Sequence, residues 1–311
     1  MATKGFVLAL GGANVDISAS TDHALQPGDS TPGQVRFSAG GVARNVAANL
    51  ARLGHDSRLL SAVGDDAQGH GLLAATQQAG VDVRGCWVLA GATTASYVSV
   101  HGRGGDMALA VNDMQVLEHI TPERLQPHTQ SLRQAAAVVV DCNLPEAALG
   151  WLFAQSSPAP IFVDAVSAFK CRRLLPWLAQ VHTLKANRLE AQALSGLPVD
   201  SAAQVESAAQ WLHRQGVQHV VLSLGEQGLY FSGPSAAGWQ SALPVTVLNT
   251  TGAGDALMAG LVHSHGSGQP LGKAVRFASG CAAMTLAVVS TNHPELSVAS
   301  VEALLQQHPQ P

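Results

Sequence analysis

At 311 residues, 47% hydrophobic and 12% charged, the chain has the composition of a compact globular protein, large enough for one sizeable domain or two modest ones, and not that of a disordered segment. A net charge of −4 argues against a nucleic-acid or anionic-membrane partner bound through bulk charge, and no run of about 20 apolar residues occurs to span a bilayer. The four cysteines, Cys86, Cys142, Cys171 and Cys281, are far apart without CxxC spacing; neither a disulfide framework nor a zinc site is expected, and a reducing cytosol is the expected compartment.

In chain order, the first element is "FVLAL" (6–10), an apolar run that reads as a buried first strand more than as a signal peptide. It runs into "GGANVD", where alternation places Asn14 and Asp16 on one face, able to grip vicinal hydroxyls. An ordinary Asx turn is the alternative. Short extended pieces around "QPGDSTPG" follow in 15–38. Gly40 and Gly41 then open a helix over 41–53, with Val42, Val46, Leu50 and Leu53 at helical spacing, Asn45 in the first turns and Gly54 as the stop.

In 93–112 two alternating strands flank a Gly-rich turn. With 15–38 they predict a small sheet inserted into the main domain rather than appended to it. Its apolar Leu109 and Val111 need cover, so a homodimer through this sheet is expected. The runs at 136–141, 160–165, 181–186 and 219–225 read as strands apolar on both faces, typical of a parallel sheet covered by helices. Strand and helix alternate along most of the chain, which predicts a doubly wound, mostly parallel α/β fold in a single domain over 1–311.

"KANRLEA" (185–191) follows a strand directly. If a helix begins there, Asn187 and Glu190 share a face and suit Mg²⁺ held largely through water; a capping box is the competing reading. The 253–265 segment is helical, with Leu257 and Leu261 on one stripe. Before it stands "NTTGAGD", where the amides of Gly252, Ala253, Gly254 and Asp255 can cradle an anion at the positive end of the dipole. Asp255 there is either a general base beside a phosphoryl group or an acidic first-turn residue without chemistry. No Walker A loop and no G-x-G-x-x-G occurs, so phosphate is handled by this device or not at all.

In this order and spacing, "AGGVARNVAANLARLG", "KANRLE" and "NTTGAGDALMAGLV" resemble the ribokinase-like (PfkB) family of sugar and nucleoside kinases. A closer likeness, carried by "ANVDI", "SAGGVARN", "LLSAVG", "VNDM", "DCN", "VSAFKC" and "HTLKANRLEA", is to the branch acting on pseudouridine. The resemblance implies ATP and Mg²⁺ as cofactors, a lid formed by the inserted sheet, and transfer of the γ-phosphate to the 5′-hydroxyl of pseudouridine. Ribose, another sugar or a different nucleoside are the alternative acceptors.

The resemblance further implies Asp255 as base and the amides of Gly252, Ala253 and Gly254 as anion hole. It assigns Asn14, Asp16, Gly40, Gly41 and Asn45 to the ribose, with Asn143 and Lys170, or Ser30, Thr31, Tyr97 and Asn112 of the lid, as candidates for the uracil. Lys185, Asn187, Ser223, Gly225 and Gly228 would line the nucleotide site, residues 280–292 would lie near adenine, and Glu190 would hold Mg²⁺ through water. One departure stands out. Many members carry Asp where this chain has Asn249, in a segment associated with a monovalent cation, so K⁺ activation is an open question.

Overall fold

A computed structural model describes residues 5–309 apart from positions 105 and 156. The extreme ends of the expected domain, and one residue of the turn in 93–112, lie outside the described residues. Among those described, nine strands form the main sheet. From one edge they run Ala237–Gln240, Leu229–Ser232, His219–Ser223, Thr183–Asn187, Ile161–Asp164, Ala137–Asp141, Val7–Leu10, Ser57–Leu60 and Val81–Asp82. The first two are antiparallel additions and the remaining neighbours pair in parallel.

Both faces are covered, because successive residues point to opposite sides of a strand. Val139, Phe162 and Val221 pack with Val46 and Leu50 of helix Val42–Arg52, with Leu257 and Leu261 of helix Ala253–Gly266, and with Val275 of helix Leu271–Leu286. On the other side Val138, Val140, Val163, Leu184 and Val220 pack with Leu149 of helix Glu146–Ala154, Leu194 of helix Arg188–Ser195 and Val205 of helix Ala202–Arg214. Helices 42–52 and 253–266 do not present the single apolar stripe expected. Residues 43–50 of the first and 255–262 of the second are buried throughout, since they pack against each other as well as against the sheet.

A separate four-stranded sheet has the order Gln34–Gly40, Asn14–Ser20, Ser96–His101, Met107–Asp113. Its register sorts side chains cleanly. Asp16 lies opposite Ser38 and Tyr97, and Tyr97 opposite Asn112, giving a polar face. Ile17 lies opposite Phe37 and Val98, and Val98 opposite Val111, giving an apolar one. On that face Val35, Phe37, Leu109 and Val111 are each more than half exposed; a bulge after Val100 turns Met107 to the other face, where the Tyr97 hydroxyl donates to its sulfur.

The strand ends differ from expectation at two places. Gly40 closes a strand rather than opening a helix, and the strand read as 181–186 runs one residue further, to Asn187, with the helix beginning at Arg188. In both cases ladder pairing with a neighbouring strand extends the strand past the point where local residue preference would end it.

Candidate active site

In-register pairing decides which side chains meet at the C-terminal edge of the main sheet. Asp141 stands beside Asp164, Asp164 beside Lys185, and Asn187 beside Ser223. This edge, outside the carboxyl ends of parallel strands, is where doubly wound folds bind ligands.

Asp141 is fully buried and organises the acceptor side. It accepts hydrogen bonds from the amides of Gly12 (2.9 Å), Ala43 (2.8 Å) and Asn143 (2.8 Å), tying the loop after the first strand to the start of helix 42–52. Burial raises its pKa, and these three amides oppose the rise. Gly41, at φ 98, lets that helix begin against the backbone of Gly12 and Ala13; a Cβ there would come within 2.5 Å of both. Asn14 donates to Asp16 at 2.7 Å, on the strand facing Gly40, so the expected pair shares one face. Asn143 accepts from the Lys170 ammonium at 2.6 Å and lies against Gly12. Lys170 is therefore not the solvated surface lysine its type suggests.

Asp255 sits in the first turn of helix 253–266. No side chain caps this helix start, and the cap residue Gly252 has φ 84, with the Thr291 carbonyl filling the space a Cβ would take. The Asn45 amide donates to Asp255 Oδ2 at 2.8 Å, joining the two helices across the site. Burial pushes the Asp255 carboxyl up to about 8, Asp164 adds to the rise, and Lys185 and Asn45 work against it. Lys185 is itself buried, 2.7 Å from Asp164 Oδ2, and its ammonium lies 2.6 Å from where a Cβ on Gly254 would stand. Burial alone would lower the lysine's pKa, but the carboxylates of Asp164, Glu190 and Asp255 outweigh it, and the net direction is upward.

Asn187 and Glu190 form a capping box. Asn187 Oδ1 accepts from the Glu190 amide (3.0 Å), while Glu190 accepts from the Asn187 amide and side chain, both at 2.7 Å. Each Glu190 oxygen thus has a protein donor, which leaves remaining lone pairs for water rather than a bare coordinating edge. Among the described residues no group of three His, Cys, Asp or Glu side chains converges to hold an ion. Ser223 ends its strand, and Gly225 and Gly228 shape the turn that follows, with Gly228 packed on the Gln240 carbonyl.

Asn249 bridges two loops. Its Nδ2 donates to the Val289 carbonyl at 2.8 Å and its Oδ1 accepts from the Thr251 amide at 3.0 Å.

The sequence did not single out Asp141, Asp164 or Arg44, and it placed Asn292 only within 280–292 near adenine, whereas the fold sets it against Arg44 and Asn45. The two aspartates were readable, since each ends an apolar strand run ("AVVVD", "IFVD") at the ligand-binding edge. Next to Asp164, Val166 takes φ 65, the positive-φ non-glycine residue among those described, with its amide on Asp164 Oδ1 at 2.9 Å. No described helix is long and apolar enough to cross a membrane.

Residues 4–297 match the pfkB family of carbohydrate kinases. The pseudouridine kinase of Escherichia coli (strain K12) is 43% identical over 307 residues, covering 98% of each chain. A carbohydrate kinase from Agrobacterium tumefaciens shares 29% identity with a TM-score of 0.86, over 98% of each chain. An Arabidopsis thaliana ribokinase solved with ribose and ATP superimposes with a TM-score of 0.86 at 22% identity, covering 98% of this chain and 99% of that one. The likeness extends over nearly the whole chain: this chain belongs to the pfkB family and is a sugar or nucleoside kinase, a phosphotransferase with an alcohol acceptor.

Proposed function

We propose that the chain transfers the γ-phosphate of ATP to the 5′-hydroxyl of pseudouridine. The observation that carries the reading is the Asn45–Asp255 pair at an uncapped helix start. A carboxylate held from one side by Asn45 keeps its other oxygen for the proton of an attacking hydroxyl. The amides of Gly252, Ala253 and Gly254, with the dipole behind them, lie where negative charge develops on the transferring phosphoryl. Lys185, under Gly254, adds a fixed positive charge next to that cradle.

Asn14 and Asp16 on one strand of the small sheet, with Asn45 on helix 42–52, grip the ribose hydroxyls; the hydrogen bond between Asn14 and Asp16 supports their acting together. The Lys170–Asn143 pair, with Tyr97 and Asn112 on the polar face of the small sheet, addresses the uracil. Ser223, Gly225 and Gly228 line the nucleotide side. Glu190 reaches Mg²⁺ through water, since each of its oxygens already holds an Asn187 donor and keeps a lone pair for a water of an ion held mainly by phosphates. When bound, that ion neutralises charge on the phosphate oxygens. The Asn249–Val289 bridge does the joining that a monovalent cation would do, so the kinase works without K⁺. The small sheet closes over the acceptor to exclude water, and its bare apolar face is the contact of a homodimer. Identity to the E. coli pseudouridine kinase supports this acceptor over others.

The deciding experiment is a panel with Mg-ATP and pseudouridine, uridine, adenosine or ribose. Pseudouridine is expected to give the highest kcat/KM, with uridine, which differs in the atom joined to the sugar, well below it. Equal or better turnover of ribose or adenosine would overturn the acceptor while leaving the kinase chemistry intact. A monomer mass at all concentrations would remove the dimer.

A further inference from the structure

Arg44 is an unusual neighbour for a small-residue helix start. It is 5% exposed, and its guanidinium donates to Thr76 Oγ1 (3.1 Å), the Ala39 carbonyl (3.1 Å), Asn45 Oδ1 (2.9 Å) and Asn292 Oδ1 (2.8 Å). A buried guanidinium is costly unless its donors are met, and here four different segments meet them. Asn292 completes the set from the loop after helix 271–286, its Nδ2 donating to the Asn45 carbonyl (3.1 Å) and to Asn49 Oδ1 (2.9 Å).

The chemistry of these groups fixes an orientation. Guanidinium only donates, so the end of the Asn45 amide that faces it must be the oxygen. The other end, Nδ2, is then forced toward Asp255 Oδ2. Flipping the amide would set N–H against guanidinium and carbonyl oxygen against carboxylate, two repulsive contacts in place of two attractive ones. A flipped amide is also the partner that a protonated Asp255 would prefer, since its O–H could donate to the oxygen.

We propose that Arg44 is a positioning residue for the Asp255 base: it locks Asn45 in the orientation that donates to the ionised carboxylate, and Asn292 anchors Arg44 from the far loop. This rests on Asp255 being the base. The other charged groups facing Asp255 are Asp164 and Lys185 at the ends of their strands and Asp141 on the next one. All three remain in place when Arg44 is changed. Burial of the carboxyl favours its protonated form, and the Arg44–Asn45 pair opposes that from one side.

The test is a mutant cycle on kcat and KM at saturating Mg-ATP, with Arg44→Met, Asn45→Ala and the double variant, and Arg44→Lys for rescue. Arg44→Met should lower kcat about tenfold or more, the size of losing one oriented donor. It should also move the acid limb of the kcat–pH profile upward and leave the KM for ATP within about twofold. If Arg44 acts through Asn45, the double variant is no slower than Asn45→Ala alone, and Arg44→Lys recovers part of the rate. Multiplicative losses, or an Arg44→Met enzyme with the unaltered kcat and pH profile, would overturn the proposal. If Arg44→Met does not fold, Asn292→Ala replaces it in the same cycle and must show the same dependence on Asn45. Asp255→Asn runs alongside. If that variant stays active the base reading has failed, whereas an inactive Asp255→Asn with an unaffected Arg44→Met condemns the positioning role alone.

Discussion

At the C-terminal edge of the main sheet the buried carboxylates of Asp141, Asp164, Glu190 and Asp255 each hold a donor, whereas the outer face of the small sheet leaves Val35, Phe37, Leu109 and Val111 to solvent. The two regions carry opposite kinds of incompleteness. The edge has satisfied its polar groups internally except where a reacting ligand would enter, at the Asp255 carboxyl and the uncapped amides beside it. The small sheet satisfies its backbone by pairing yet lacks cover for its apolar side chains, and only another surface supplies that. The proposed function assigns chemistry to the first region, and access and association to the second.

The sharpest way to break this division is Asp255→Asn, expected to lower kcat by roughly 10²–10⁴-fold, the usual scale of base catalysis. Near-normal turnover would move the chemistry elsewhere. The same substitution probes linkage. Burial raises the Asp255 pKa in the fold, so the folded state keeps a proton that the unfolded chain has released. The stability this proton contributes is complete below the ordinary carboxylate pKa and is lost as pH climbs toward about 8. Above that pH, Asp255→Asn should melt higher than the unaltered protein in calorimetry; a lower Tm contradicts the buried-carboxylate account. In the unaltered enzyme the same shift should place the acid limb of kcat well above the ordinary carboxylate range, rising with pH.

Next in size is Asp141→Asn. An amide offers its NH2 to backbone amides that need an acceptor, so unfolding in urea should show a loss of about 2–4 kcal/mol. Unchanged stability would mean Asp141 is not the tie between the first loop and helix 42–52. On the other region, Phe37→Glu should convert the homodimer to a monomer by light scattering while kcat changes less than about threefold, a surface effect rather than a chemical one. A dimer that survives the charge lies on a different face. Smallest is Asn249→Asp. Two acceptors then confront the Val289 carbonyl, and K⁺ should restore a rate that falls several-fold in Na⁺ or choline. A variant indifferent to K⁺ would show that this bridge does not stand in for an ion.

Much of the sheet was legible in the sequence because a strand buried on both faces leaves an unbroken apolar run, as at Val138–Val140 or Ile161–Val163. Asn45 and Asp255 were legible for another reason: each stands at a helix start whose small residues have no packing purpose alone. Their contact was not legible, since it joins positions 210 residues apart. Arg44 escaped altogether, and Asn292 was placed only within 280–292, beside adenine rather than beside Arg44. An arginine in sequence reads as a solvated cation, and nothing local shows that carbonyls and amides from four segments will surround it. Glu190 shows a case where the local reading was complete: the capping box with Asn187 was visible in the spacing, and it leaves the carboxylate lone pairs free for water.

Val166 carries a further consequence. A β-branched residue at φ 65 costs about 1–3 kcal/mol, and the turn holding it there, with the Ser167 amide on the Ala165 carbonyl and the Lys170 amide on Ser167 Oγ, is what aims Lys170 at Asn143. Glycine at 166 would relieve the strain and let the lysine swing. Heat tolerance and a fixed Lys170 therefore pull against each other at this one residue, and a search for sturdier variants that keeps replacing Val166 would be discarding the stiffness that holds the lysine on Asn143.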